Sequence, residues 1–281
     1  MSRMNYRDLY EYGKRILREA EILEAELDAR LLLEHVCDTN RNTLFVHGDR
    51  EVSHEQKEAY DRLISERARH IPLQHLTGVQ EFMGLTFMVN ANVLIPRQDT
   101  EILVEEAMKE LHDGMEILDV CTGSGCILLS LLHYSNDCNG LGLDISESAL
   151  EVAKQNAGKL SIQADFLQSD LFDKIEAGRK FDMLVSNPPY IPTDVIPTLM
   201  EEVRVYEPVN ALDGLEDGLF FYRKISKEAK AYLRKGAYLF FEIGCEQAEA
   251  VREILEKEGY KEIEIIKDLA GLDRVAKCIF Y

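Results

Sequence analysis

The chain has 281 residues, of which 46% are hydrophobic and 30% charged, a balance typical of a globular protein with its own core. Its formal net charge is −19, and residues 76–281 hold 20 basic and 36 acidic side chains, against 12 and 15 in residues 1–75. Because basic groups that neutralise phosphates supply most of the affinity for nucleic acid, this charge disfavours a nucleic-acid partner.

The sequence also disfavours a membrane protein and a metalloenzyme. No apolar run approaches the roughly 18 residues that a membrane span needs, and the first residues lack the apolar core of a signal peptide. We therefore expect a cytoplasmic protein without a membrane partner. The six cysteines form no CxxC pair and all histidines lie at or before His133, so we expect free thiols and no metal site.

Residues 1–72 are predicted to form a small helical domain. Leu9, Tyr12, Ile16, Leu17 and Ala20 share one face of a helix, and similar spacings follow up to Ala68. Ser53 is a plausible N-cap for the last of these helices, and no strand is expected here. Residues 73–95 are predicted to be a linker that contains a β-hairpin around Gly84, within 81–89.

Strands and helices are predicted to alternate in residues 96–281, after an amphipathic helix that begins near Thr100. Helices are expected at 146–157 and 219–233. Candidate strands are 116–120, 140–144, 161–164 (the weakest), 181–186, 237–242, 263–266 and 274–280. This alternation predicts an α/β fold with a mostly parallel, seven-stranded, Rossmann-like sheet between two helical layers.

A glycine-containing turn follows the first strand of this region. Residues 121–125 read CTGSG and precede an apolar helix, so glycines and free helix N–H groups would let backbone approach a ligand. The spacing is not that of the dinucleotide fingerprint, and such a turn alone is weak evidence. The candidate cofactor-binding residues here are Cys121, Thr122, Gly123, Ser124 and Gly125.

Two acidic residues follow the next two strands. Asp144, about twenty residues after the glycine turn, could accept hydrogen bonds from both ribose hydroxyls of an adenosine-containing cofactor. It could instead be a favourable charge at a helix N-terminus. Asp170 could accept from an adenine amino group while Leu171 or Phe172 covers the ring; the alternative is a surface turn.

The stretch SNPPY, residues 186–190, ends the fourth predicted strand. Two prolines fix two backbone angles, which is more restraint than a turn needs. An amide or exocyclic amine is a poor nucleophile, and its two N–H groups need fixed acceptors. The side-chain oxygen of Asn187 and the carbonyl of Pro188 can supply them, Pro189 adds rigidity, and Tyr190 can stack on the planar group. The alternative is a structural double-proline loop.

The glycine turn, the two acids and the NPPY tetrapeptide, in this order, resemble the class I S-adenosylmethionine-dependent methyltransferases. The tetrapeptide marks members of that class that modify a planar nitrogen of adenine, cytosine, guanine or a glutamine amide. By this resemblance the methyl donor S-adenosylmethionine is the cofactor. Asn187 to Tyr190 bind the substrate, Asn187, Pro188 and Tyr190 are catalytic, and Asn187 also contacts the cofactor.

A closer resemblance extends over nearly the whole chain. Six segments are similar to the release-factor glutamine methyltransferase family (the HemK/PrmC type): IPLQHLTG (71–78), PRQDTE (96–101), LDVCTGSGC (118–126), SDLF (169–172), SNPPYIP (186–192) and YEPVNALDGLEDGL (206–219). The resemblance implies methylation of the glutamine side-chain amide in the Gly-Gly-Gln loop of peptide chain release factors. By the same resemblance, the helical domain would bind this protein substrate while it is free of the ribosome.

The resemblance leaves alternatives and two departures. Ribosomal-protein glutamine methyltransferases share NPPY but usually lack the Asp-Thr-Glu of residues 99–101, and a DNA or RNA base would need a positive track for phosphates. By resemblance, Thr100 and Glu101 shape the cofactor pocket; alternatively, Thr100 caps a helix. Cys121 replaces the family's usual glycine, and its Cβ should be tolerable if its φ is negative; Leu171 replaces a frequent aromatic residue.

Overall fold

The computed structural model describes residues 4–281. The chain forms two compact units. The first runs up to Gly78 and includes the distant segment Glu201–Tyr206, and the second comprises Val79–Met200 and Glu207–Tyr281. The linker was predicted to begin at residue 73, whereas in the structure a short helix, Leu73–Thr77, still belongs to the first unit. The participation of Glu201–Tyr206 depends on a long-range contact that sequence order does not reveal.

The first unit is built from helices with apolar faces turned inward. Its helices are α1 (Tyr6–Glu19), α2 (Ala25–Cys37), α3 (Arg41–Val46), α4 (His54–Arg67), α5 (Leu73–Thr77) and, from the distant segment, α9 (Glu201–Tyr206). Leu9 and Leu17 are fully buried, as their helical spacing predicts. Ser53 caps α4 in a capping box with Gln56, which satisfies two orphan N–H groups. Asn5 and Glu51 form an isolated bridge.

The predicted hairpin opens the second unit. Strands β1 (Val79–Phe82) and β2 (Leu85–Met88) pair antiparallel around Met83 and Gly84, both of which have positive φ. The backbone of Met88 exchanges two hydrogen bonds with the buried amide of Asn156, at 2.6 and 3.1 Å. These two bonds fix the hairpin within the second unit.

A seven-stranded sheet forms the centre of the second unit, as predicted. Its strands are β3 (Glu116–Val120), β4 (Asn139–Asp144), β5 (Asp165–Gln168), β6 (Phe181–Ser186), β7 (Leu233–Glu242), β8 (Lys261–Lys267) and β9 (Asp273–Phe280). The strand order is β5-β4-β3-β6-β7-β9-β8, and only the pairings that involve β9 are antiparallel. The strand order reverses between β3 and β6, which is where open α/β sheets place their ligands.

Helices cover both faces of this sheet. They are α6 (Gln98–Glu110), α7 (Cys126–His133), α8 (Glu147–Leu160), α10 (Phe220–Ala229) and α11 (Ala248–Lys257). Alternate residues of the strands enter two separate apolar clusters: Leu184 and Leu239 belong to one, Val185 and Phe240 to the other. This alternation is the period of two that places successive side chains on opposite sheet faces.

Two predicted elements were placed incorrectly. The weak strand at 161–164 was wrong: α8 continues to Leu160, Ser161 ends it in a left-handed conformation, and β5 begins at Asp165. The helix predicted for 219–233 ends at Ala229, because Leu233 already starts β7. None of the described helices combines the length and the apolar character that crossing a membrane would need.

Candidate active site

A cavity of about 640 Å³ opens at the carboxyl ends of the central strands, within the second unit. Val120 of β3 pairs with Ser186 of β6, so the next residues, Cys121 and Asn187, leave neighbouring strands at the same level. The hydroxyl of Ser186 also donates to the carbonyl of Val120 at 2.6 Å. The glycine turn and the NPPY loop, predicted separately from the sequence, therefore border one cavity.

The glycine turn forms one wall of the cavity. Cys121, Thr122, Gly123 and Ser124 line it, whereas Gly125 lies behind them as the N-cap of α7. Gly123 and Gly125 have φ of 54° and 78°. A Cβ on Gly123 would meet no atom within 4 Å, so glycine is favoured there by its backbone conformation and not by lack of space. A Cβ on Gly125 would lie only 3.2 Å from the Cβ of Ala153, so space is limited there as well.

Cys121 adopts a φ of +64°, so the condition under which its Cβ would be easily tolerated, a negative φ, is not met. The turn out of β3 needs the left-handed region, which glycine enters without steric cost and a residue with a Cβ does not. A glycine at this position would adopt the same conformation without this steric cost. Burial also raises the pKa of the Cys121 thiol well above its usual value, which disfavours a reactive thiolate.

Asp144 lies in the cavity wall with its carboxylate already oriented. Its Oδ2 accepts the backbone N–H of Gly123 at 2.9 Å, and its Oδ1 accepts that of Ser146 at 2.9 Å. Burial raises the pKa of this carboxyl, and these backbone N–H groups act in the opposite direction. Each oxygen keeps acceptor capacity, so the geometry suits a ligand with two adjacent hydroxyl groups.

Asp170 and Leu171 also line the cavity, but Asp170 has a partner that the sequence did not indicate. The Nζ of Lys224, on α10, lies 3.4 Å from Asp170 Oδ1 and lines the same cavity. Leu171 is 5% exposed. Phe172, the alternative cover for a ring, instead stacks on Tyr232 and does not line the cavity.

The NPPY loop contributes Asn187 and Pro189 to the lining, whereas Pro188 and Tyr190 lie outside it. The Nδ2 of Asn187 donates to Thr100 Oγ1 at 3.4 Å. The hydroxyl of Tyr190 donates to Glu242 Oε1 at 3.3 Å, and burial raises the pKa of Tyr190. The loop is thus held by side-chain contacts on both sides of its prolines.

Residues 96–101 contribute to the site in a different way from the capping role considered above. The N-cap of α6 is Arg97, and Thr100 is a helical residue, 3% exposed, that lines the cavity. Glu101 does not line the cavity. Its Oε1 accepts the backbone N–H of Met83 at 2.6 Å, so it anchors the hairpin turn.

Three further polar groups lie near the cavity; the family resemblance places Arg97 near the active site and allows Glu207 as a supporting acceptor, whereas Asp119 was not predicted. Arg97 forms an ion pair with buried Glu207, and residues 208–211 that follow line the cavity. Asp119, in β3, is fully buried and accepts the Thr122 hydroxyl at 2.6 Å. Burial raises the pKa of Asp119 to about 7. Within residues 4–281, no cluster of three or more His, Cys, Asp or Glu side chains is arranged for a metal ion.

Comparisons with known proteins first define the class of protein to which the chain belongs. The family model described as a methyltransferase domain matches residues 111–273, and that of the PrmC N-terminal domain matches residues 8–78. A solved methyltransferase from Pyrococcus furiosus is 18% identical, with a TM-score of 0.55 over 77% of this chain and 98% of its own. At this identity the likeness concerns the fold, which is that of a methyltransferase.

Two curated relatives define the family more narrowly. A release factor glutamine methyltransferase of Clostridium botulinum is 41% identical over 283 residues, covering 99% of this chain and 100% of the relative. One of Clostridium acetobutylicum is 43% identical over 257 residues, 90% of each chain. The chain belongs to the release factor glutamine methyltransferase family.

Proposed function

We propose that this protein transfers a methyl group from S-adenosylmethionine to the side-chain amide nitrogen N5 of the glutamine in the Gly-Gly-Gln loop of peptide chain release factors. The observation that carries the proposal is the position of Asn187, which lines the same cavity as the glycine turn and Asp144. Relatives with that name match this chain along nearly its full length.

The described residues fit S-adenosylmethionine. A cavity of about 640 Å³ is within the usual range for a cofactor of this size. Asp144 offers acceptors for two ribose hydroxyls, Gly123 admits close backbone approach, and Leu171 offers an apolar surface for a ring. Lys224 beside Asp170 provides a second polar contact at that end of the cavity. When bound, the cofactor supplies an electrophilic methyl group on a positively charged sulfur.

The chain's own contribution to the reaction is positioning. A glutamine amide is planar and weakly nucleophilic, so its two N–H groups must be held while its nitrogen faces the methyl donor. We assign Asn187 Oδ1 and the Pro188 carbonyl as the two acceptors and Pro189 as part of the rigid support. Tyr190, held by Glu242, closes the side of the loop and can pack against the planar group.

We propose that the helical unit formed by residues up to Gly78 and by Glu201–Tyr206 supplies contacts to the protein substrate. The substrate would be a release factor free of the ribosome, in the cytoplasm where these factors act, with no nucleic acid or membrane needed for recognition. The −19 charge supports a protein rather than a nucleic-acid substrate.

The direct experiment compares three acceptors under one condition. The protein and cofactor carrying a labelled methyl group are incubated with a release factor, with isolated ribosomal proteins, and with DNA and RNA. We expect label in the release factor alone. Label in a ribosomal protein would identify the other glutamine-modifying branch, and label in nucleic acid would overturn the assignment of a protein substrate.

A further inference from the structure

A positively charged side chain lies at the end of the cavity that Asp170 borders. Lys224 of α10 lines the cavity, and its Nζ lies 3.4 Å from Asp170 Oδ1. The Lys224 side chain is 28% exposed, which is low for a residue type that is mostly found in solvent. Within residues 4–281, neither side chain makes a hydrogen bond to any other group. An ammonium has three donors and a carboxylate has two oxygens, so both groups keep capacity for a ligand.

The ion pair itself does not explain why these two residues lie in the cavity. Its distance of 3.4 Å is beyond the usual range for a hydrogen bond, so neither charge fully satisfies the other. Ion pairs between partly exposed groups contribute little to stability, because water screens them. The pair is therefore better suited to bind a ligand than to stabilise the fold.

The sheet order places this pair next to the proposed ribose site. Strand β5 lies outside β4, on the side away from β3 and β6. The backbone N–H of Ser169 donates to the carbonyl of Asp144 at 2.9 Å, and Asp170 is the next residue. A cofactor whose ribose is bound at Asp144 and whose methyl group faces Asn187 therefore has its base at the end of the cavity formed by Asp170 and Lys224.

Each member of the pair has an apolar neighbour that also lines the cavity. Leu171 follows Asp170 along the chain, and Phe220 lies one turn before Lys224 on the same face of α10. Binding cavities typically combine such apolar surfaces with a few polar groups that fix the orientation of the ligand. This combination suits a flat ring whose faces are apolar and whose edge is polar.

We propose that Lys224 is a specificity-determining residue that donates a hydrogen bond to the adenine ring nitrogen beside the amino group, while Asp170 accepts from the amino group. Adenine presents an amino donor beside a ring acceptor on two edges, with N1 on one and N7 on the other. A carboxylate and an ammonium side by side match this donor and this acceptor. The inference rests on the S-adenosylmethionine part of the proposed function and does not depend on which protein receives the methyl group.

The experiment measures binding of S-adenosylhomocysteine, which is the cofactor without its methyl group, and of two analogues by calorimetry. In the analogues a C–H replaces either N1 or N7 of the adenine. We expect the wild type to bind one of the two analogues about tenfold to a hundredfold more weakly than S-adenosylhomocysteine, the usual range for a hydrogen bond to a charged group.

The decisive variant is Lys224→Met, which keeps an apolar stem but removes the ammonium group. It should bind S-adenosylhomocysteine and that analogue about equally, because the donor that distinguishes them is gone. Its affinity for the analogue should remain that of the wild type, which also shows that the variant is folded. Lys227→Met is the matched control: Lys227 is an exposed lysine of the same helix outside the cavity, and its variant should discriminate like the wild type.

The possible outcomes separate this inference from the proposed function. If the wild type binds both analogues as tightly as S-adenosylhomocysteine, or if Lys224→Met discriminates as well as the wild type, the inference is wrong. If the wild type does not bind S-adenosylhomocysteine, the cofactor assignment falls and the inference falls with it. Intact cofactor binding without methyl transfer to a release factor would overturn the proposed function alone.

Discussion

The backbone N–H of Gly123 donates to Asp144 Oδ2 at 2.9 Å, so the glycine turn after β3 is bonded directly to the acid after β4. This hydrogen bond orients the carboxylate before any ligand is bound. Preorganised acceptors of this kind need little rearrangement on binding. The glycine turn and Asp144 therefore act as one unit at the ribose end of the proposed cofactor site.

The first prediction concerns this unit. Asp144→Asn keeps the size of the side chain but removes its charge and half of its acceptor capacity. We expect the affinity for S-adenosylmethionine to fall about tenfold to a hundredfold, the usual range for a hydrogen bond to a charged group. Calorimetry measures it. Asp165→Asn, a largely exposed acid at the start of β5, is the control and should bind like the wild type; equal affinities for wild type and Asp144→Asn would contradict the assignment.

The second prediction concerns Asn187. Asn187→Ala removes one of the two proposed amide acceptors, so methyl transfer should be abolished while cofactor affinity changes by less than about tenfold. Single-turnover transfer and calorimetry measure the two effects separately. Exposed Asn136 offers the matched control, Asn136→Ala. A parallel loss of cofactor binding would mean that Asn187 serves the cofactor as well as, or instead of, the substrate.

The third prediction follows from the left-handed backbone of Cys121, with φ of +64°. A residue with a Cβ in the left-handed region carries a backbone strain of about 1–3 kcal/mol, which a glycine does not. The relief of this strain offsets the side-chain contacts that are lost with the cysteine. Cys121→Gly should therefore change the free energy of unfolding by less than about 1 kcal/mol. Cys121→Val, β-branched, should cost more than about 2 kcal/mol. Urea unfolding measures both, and equal costs for the two variants would count against strain at this position.

The fourth prediction concerns pH and the buried carboxyl of Asp119, whose pKa burial raises from 3.8 to about 7. The folded state holds this proton more tightly than the unfolded state. The stabilisation is therefore complete below about pH 4 and is lost as the pH rises to about 7, at up to about 1.4 kcal/mol per pH unit. Asp119→Asn stays neutral and can still accept the Thr122 hydroxyl.

The measurement for Asp119 is the difference in unfolding free energy between Asp119→Asn and the wild type at two pH values. Urea unfolding at about pH 5 and about pH 7 should show that the variant gains roughly 2–3 kcal/mol relative to the wild type as the pH rises. Other titrating groups cancel in this difference. Parallel pH curves for the two proteins would show that the pKa of Asp119 is not raised.

The principal residues of the cavity could be predicted from the sequence because each lies in a short motif directly after a recognisable strand. A buried strand followed by CTGSG or by NPPY places those residues at the carboxyl edge of a parallel sheet, and the bounds of β3 and β6 were predicted as they occur. Cys121 could not be predicted in the same way. Its positive φ depends on how β3 joins the turn, and a cysteine gives no local signal for it.

Contacts across long separations were beyond prediction for a different reason. Lys224 and Asp170 are 54 residues apart, and Tyr190 and Glu242 are 52 apart. Each partner alone looks like an ordinary residue of a helix, turn or strand. Their pairing becomes visible only in the folded chain, where the sheet order places β7 next to β6 and where Lys224 of α10 reaches Asp170, just after β5.

The most direct measurement of the central claim is tandem mass spectrometry of a release factor after incubation with this protein and S-adenosylmethionine. We predict that the peptide containing the Gly-Gly-Gln loop gains the mass of one methyl group, located on the glutamine side chain. The same peptide should stay unmodified with Asn187→Ala. An unmodified loop glutamine with the wild-type protein and saturating cofactor, or a methyl group on another residue, would contradict the proposed function.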